Sequence, residues 1–120
     1  TSAPEAISLQ RSIDLSRADI VDVVDAFERF RDSGDAEAIA DRTLQRPELN
    51  NPNSTDPDIE SFYIQLATAR RFLQRLDIHL MSASTTEELE SLLAITDKRA
   101  FELNQSWIKA RRAAVRFKRG

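Results

Sequence analysis

Residues 57–119 read PDIESFYIQLATARRFLQRLDIHLMSASTTEELESLLAITDKRAFELNQSWIKARRAAVRFKR. This run decides the fold, because after Pro57 no proline follows and no glycine appears before Gly120. Sheets need frequent turns, so an unpunctuated run of this length predicts long helices. Within it Ile59, Phe62, Leu66, Ala69, Leu73, Leu76 and Leu80 recur at alternating steps of three and four. That spacing draws one apolar line along a helix, in the geometry of a coiled-coil-like contact. Leu89, Leu93, Thr96, Ala100, Leu103, Trp107, Ala110, Ala114 and Phe117 draw a second.

Helix signals frame both lines. Asp56 can cap the earlier helix, with Pro57 at its first position, where a missing N–H costs little. The run Met81 to Thr86 forms a corner, and Ser84 with Glu87, or Thr85 with Glu88, offers a capping box for the later helix. A corner this short makes the two helices antiparallel neighbours. At 1.5 Å per residue their lengths are roughly 40 and 50 Å, so the later helix should overhang its partner by about two turns. The overhang covers approximately residues 112–120, beyond the acidic start of its partner at Asp56, Asp58 and Glu60.

Working back from this hairpin, residues 47–56 hold Pro47, Pro52, three asparagines and Asp56, and read as a turn-rich connection. Two shorter helices are expected before it, at about 17–33 and 36–46. Ser16 and Asp19 stand at N-cap and N3 spacing, with Leu15 placed to staple onto Ile20. Ile20, Val23, Val24, Phe27 and Phe30 form one stripe, and Gly34 is a natural stop. Asp35 can cap the second helix, with Ile39 and Leu44 on its inner face. Residues 1–15 read as a short helix or a flexible arm. The expectation is an all-α helical bundle in a single domain over residues 1–120, a size that suits one core.

Composition narrows the functional classes. Hydrophobic residues are 41% and charged residues 31%, which suits a folded chain rather than a disordered one. With no cysteine, disulfides, thiolate chemistry and cysteine-based zinc sites are excluded. No run approaches the roughly 18 apolar residues of a spanning helix, and no signal-peptide pattern stands at the start. The chain is read as soluble, in the cytoplasm or, if a signal peptide was removed, in the periplasm or outside the cell. A start at Thr1 rather than Met fits a processed or trimmed chain.

Charge is unevenly placed. Lys109, Arg111, Arg112, Arg116, Lys118 and Arg119 stand together without an acid, giving +6 in residues 109–120 of a chain whose net charge is −3. The body is therefore acidic and its tip basic. Such a tip, near Trp107 and Phe117, can hold nucleic-acid phosphate or an anionic membrane. The simpler reading is that these cations complement a helix C-terminus and pair with the chain's own acids or a partner protein. An acidic body opposes approach to nucleic acid, which favours that reading.

A further stripe on the last helix, Phe101, Ile108 and Val115, recurs every seven residues about 100° round from the Ala100–Trp107–Ala114 line. One hairpin partner cannot cover both lines. Either the first two helices complete a four-helix bundle over it, which is the default expectation, or it is an interface for another chain.

Reactive constellations are missing. His79 is the only histidine and beside Asp77 reads as an ordinary partly buried or surface residue. Asp19, Asp22, Asp25 and Asp32 read as a solvated acidic face, with Asp25 placed to pair with Arg29 at i,i+4. The oxygens between Asn51 and Glu60 lack the glycine and terminal glutamate of a calcium loop. No serine elbow, Ser-x-x-Lys pair or phosphate-binding glycine loop occurs. No catalytic, cofactor-binding or metal-ligating residue is therefore predicted. The expected function is a non-enzymatic interaction or assembly module, adaptor-like or chaperone-like, binding a protein or a second copy through Phe101, Ile108, Val115 and the basic tip. The alternative is nucleic-acid or anionic-membrane binding through residues 109–119.

Overall fold

In the computed structural model residues 3–117 are described. They form four α-helices: α1 (Ala3–Asp32), α2 (Ala36–Ala40), α3 (Pro57–Ser82) and α4 (Thr86–Arg116). The fold is all-α, and α3 and α4 make the antiparallel hairpin. Asp56 caps α3 by accepting the backbone N–H groups of Asp58 and Ile59, and Thr85 caps α4 by accepting that of Glu88. Of the two candidate pairs it is Thr85 with Glu88 that meets, the Glu88 N–H donating to the Thr85 hydroxyl at 3.1 Å. The hydroxyls of Ser84 and Thr85 both donate to the Glu88 carboxylate, at 3.2 and 3.1 Å.

The largest departure from the sequence reading is α1, a helix of 30 residues that begins at Ala3 rather than after Ser16. Residues 3–15 are thus helix and not an arm. Their anchor is Ile13, fully buried with Leu76 and Leu89, while Ala6 and Leu9 pack against the same cluster. Ser16 is no cap: it is buried mid-helix, and its hydroxyl donates to the Asp97 carboxylate on α4. Leu15 is 71% exposed, so the staple onto Ile20 does not form. A serine inside a helix and a serine at its cap look alike in sequence, and tertiary packing chooses between them.

α1 lies parallel to α4, since Ser16 meets Asp97 and Phe27 meets Trp107, and antiparallel to α3, where Arg17 bonds Asp77 at 2.6 Å and Arg70 bonds Glu28 at 3.4 Å. Three long helices therefore share one core in an elongated body of 59 × 28 × 19 Å. Its centre is aromatic. Phe62 sits 5.4 Å from Phe27 and 5.0 Å from Trp107, ring centre to ring centre, and Tyr63 meets Phe27 edge-on at 5.6 Å. Ring pairs at such offsets add about 0.5–1.5 kcal/mol each beyond the area they bury.

The segment between α1 and α3 stays at one end of this body and covers it. The expected second helix over 36–46 is only five residues of α-helix, capped by Asp35 through the Ala38 N–H at 2.9 Å. It widens into a π-helical turn over Asp41–Gln45, and a 3₁₀ turn follows over Pro47–Asn50. Ile39 and Leu44, expected inside, are 41% and 80% exposed. The inward contact comes instead from Leu49, fully buried, whose carbonyl accepts the Tyr63 hydroxyl at 2.7 Å. The connection is thus more ordered than its prolines and asparagines suggested: Ser54 and Glu48 are buried in it and bond to each other at 2.7 Å.

Candidate functional site

The face of α4 that was singled out in sequence is reached by asking which sides of the helix its neighbours occupy. Leu89, Thr96, Leu103, Ser106, Ala110, Ala113 and Ala114 are buried, and Ala100 and Trp107 pack against the same core. Alanine and serine at these positions let two helix backbones approach α4 at once. Both α1 and α3 accordingly sit on this one half. Phe101 and Val115, on the other half, are 67% and 58% exposed, and Ile108 between them is half-buried. The expectation that the first two helices complete a four-helix bundle over this stripe is corrected. α1 is spent on the seam of α4, and α2 is too short to span the outer face.

The basic tip is also redistributed. Arg111 turns inward: its guanidinium lies 5.2 Å from the Trp107 ring centre and bonds the Asp41 carboxylate at 3.2 Å. The other Asp41 oxygen takes Arg46 at 2.7 Å. Asp41 belongs to the π-helical turn, so that turn clamps the end of α4 to the connection. The expected free overhang is correspondingly reduced. Ala113 and Ala114 are buried in the main core with Leu49, and α4 outlasts α3 by five residues, 31 against 26. Lys109, Arg112 and Arg116 remain exposed, while Lys118 and Arg119 lie outside the described residues.

Two shallow grooves flank the stripe, and they differ in charge. Phe101 shares one with Asp19, Asp22 and Asp97, all exposed. Ile108 and Val115 share the other with Arg46, Arg111, Arg112 and Arg116. The acids Asp19 and Asp22 were seen in sequence only as a solvated face. Nothing in one dimension placed them beside Phe101, because that neighbourhood exists only once α1 lies parallel to α4. Arg46 was missed for the same reason, since it enters through the connection.

A further groove, of about 730 Å³, runs between α3 and α4 on the flank of α3 that faces away from α1. Phe72, Leu92 and Ile95 form its floor, and Arg71, Arg75, His79 and Arg99 line its rim together with Glu87 and Glu88. The sequence reading did not assemble this cluster. Arg71, Arg75 and His79 recur every four residues along α3 like any solvated face, and only the α4 neighbour, which brings Arg99, makes them one edge of a groove.

Electrostatic perturbation is largest at Tyr63 among the groups where it is resolved. Burial pushes the Tyr63 hydroxyl up to about 12, against a smaller opposing pull from Arg31. The Ala38 N–H and then the Ser33 hydroxyl hold the Asp35 carboxylate below its ordinary value, as befits an N-cap. Among the described residues no group of three or more His, Asp or Glu side chains is placed to hold a metal ion, and no helix is long and apolar enough to cross a membrane. Comparison of this chain with family models, curated proteins and solved structures returned no match.

Proposed function

We propose that the chain is a non-enzymatic docking module whose working surface is the outer face of α4. The observation that carries this reading is the stripe of exposed Phe101 and Val115 with half-buried Ile108 between them. Large apolar side chains point outward at heptad spacing on a helix whose inner face is filled mainly by small ones. Burial of a Phe or Val side chain by a partner contributes about 1.5–3 kcal/mol relative to exposure, so the stripe offers a usable anchor. Its flanking charges would set orientation and exclude mismatched partners rather than supply most of the affinity.

A photo-activated cross-linking side chain placed at Phe101 or at Val115 in cells tests this reading. Discrete adducts from both positions, with none from the same group at Ile64 on α3 (58% exposed), are expected. Equal labelling at all three positions, or none, would contradict it.

A second reading draws on Lys109, Arg112 and Arg116, which remain exposed after Arg111 is withdrawn into its pair with Asp41. They suit nucleic-acid phosphate or an anionic membrane, and binding of that kind weakens steeply as salt rises. Retention on duplex DNA or on anionic vesicles at low salt, lost when all three become alanine, supports it. No retention at low salt ends it.

A further inference from the structure

On the docking reading above, we infer that the partner covering the outer face of α4 is a second copy of this chain, laid antiparallel about a two-fold axis at Ile108. The argument is one of symmetry and charge. Ile108 stands midway between Phe101 and Val115, seven residues from each, so a two-fold axis there places Phe101 of one copy opposite the partner's Val115. Around Phe101 the exposed charges are Asp19, Asp22 and Asp97, which outnumber the single cation Lys98, whereas around Val115 they are Arg112 and Arg116, with Arg46 and Arg111 behind them. The same axis therefore brings the acidic end of each copy against the basic end of the other. Nearest the axis, Asn104 and Gln105 stand on one side of Ile108 and Arg111 and Arg112 on the other, so the axis sets each Arg112 opposite the partner's uncharged Asn104 rather than opposite the partner's Arg112. A parallel pair would oppose acid to acid and arginine to arginine, which costs several kcal/mol in an interface. A symmetric pair also needs one self-complementary patch, which this face supplies.

The size of the face sets the strength. From Asp97 to Arg116 it is about 30 Å long and, with its grooves, about 15 Å wide, so a pair would cover close to 1,000 Å² in all, the low end for a specific interface. Association should then be concentration-dependent, with Kd on the order of micromolar to hundreds of micromolar, and weaker in salt.

Sedimentation equilibrium of the purified chain reads this directly. The mass should rise with concentration from 13.6 kDa toward twice that value. Arg112→Glu with Arg116→Glu should weaken self-association at least about tenfold, and so should Asp19→Lys with Asp22→Lys. An equimolar mixture of the two variants should associate again. Orientation is read by oxidation, since the chain has no cysteine of its own. Ile108→Cys should cross-link to itself, and Phe101→Cys to Val115→Cys, while neither of the latter two should cross-link to itself. Circular dichroism of each variant checks that the helices persist. Self-linking of Phe101→Cys would overturn the antiparallel arrangement. A chain that stays monomeric at millimolar concentration would overturn self-pairing. If adducts to another protein still form at Phe101 in cells, the docking reading survives that result, and if none form, both fall.

Discussion

The two faces of α4 carry apolar residues at the same heptad spacing and have opposite surroundings. On the inner face Ala110, Ala113 and Ala114 are buried beside Leu103, and on the outer face Phe101 and Val115 stand in the open. From Ala110 onward size separates them better than hydrophobicity does, with alanines inside and Val115 outside. Small side chains mark where two helices crowd onto a third, and the large ones on the far side stay exposed. An apolar line in sequence thus says that something must cover it, and the size of its residues says how close the covering backbone will come.

Substitutions sharpen this contrast. Leu103→Ala, at a fully buried position, is expected to lose about 2–5 kcal/mol of unfolding free energy, combining lost transfer energy with a cavity that the three helices cannot close. Urea titration checks it, and a loss under about 1 kcal/mol would mean that the seam is loosely packed. Ala114→Leu tests the role of small size. With Ala114 only 3% exposed in the main core, the added atoms must displace its neighbours, at a cost of about 1–3 kcal/mol. Asp41→Ala stands at the border of the two faces, where it removes the partner of both Arg46 and Arg111. Because all three groups are partly exposed, the expected loss is about 1 kcal/mol, and amide exchange near the end of α4 should quicken.

An alkaline effect on the inner side is confined to high pH. The Tyr63 hydroxyl titrates near 12 when folded and near 10 when unfolded. The unfolded chain therefore gives up its proton first as pH rises. The Tyr63 contribution is complete below pH 10 and is lost between about pH 10 and 12. Tyr63→Phe should flatten that part of the stability profile, and an unchanged slope would count against a buried hydroxyl.

Much of this architecture was legible in residues. The hairpin could be read because Asp56, Pro57, Thr85 and Glu88 punctuate it locally and its seams repeat, features set by neighbours in sequence. α1 was under-read because Ser16 imitates a cap, and its real function, a hydroxyl on Asp97, joins residues far apart in the chain. α2 was over-read because Ile39 and Leu44 match helical spacing, yet the connection reaches the core through Leu49 instead. The stripe itself was visible, but its openness was not, since that depends on where α1 lies. The division of its flanks into acidic and basic grooves needed Asp19, Asp22 and Arg46, which only the tertiary fold brings to α4.

Equilibrium unfolding of Phe101→Gln, at a protein concentration too low for self-association, tests the open outer face most directly. With Phe101 67% exposed, the variant should match the parent chain within about 0.5 kcal/mol. A loss of 2 kcal/mol or more would mean that this side chain is buried within its own chain, and that the outer face of α4 is part of the core rather than a surface for docking.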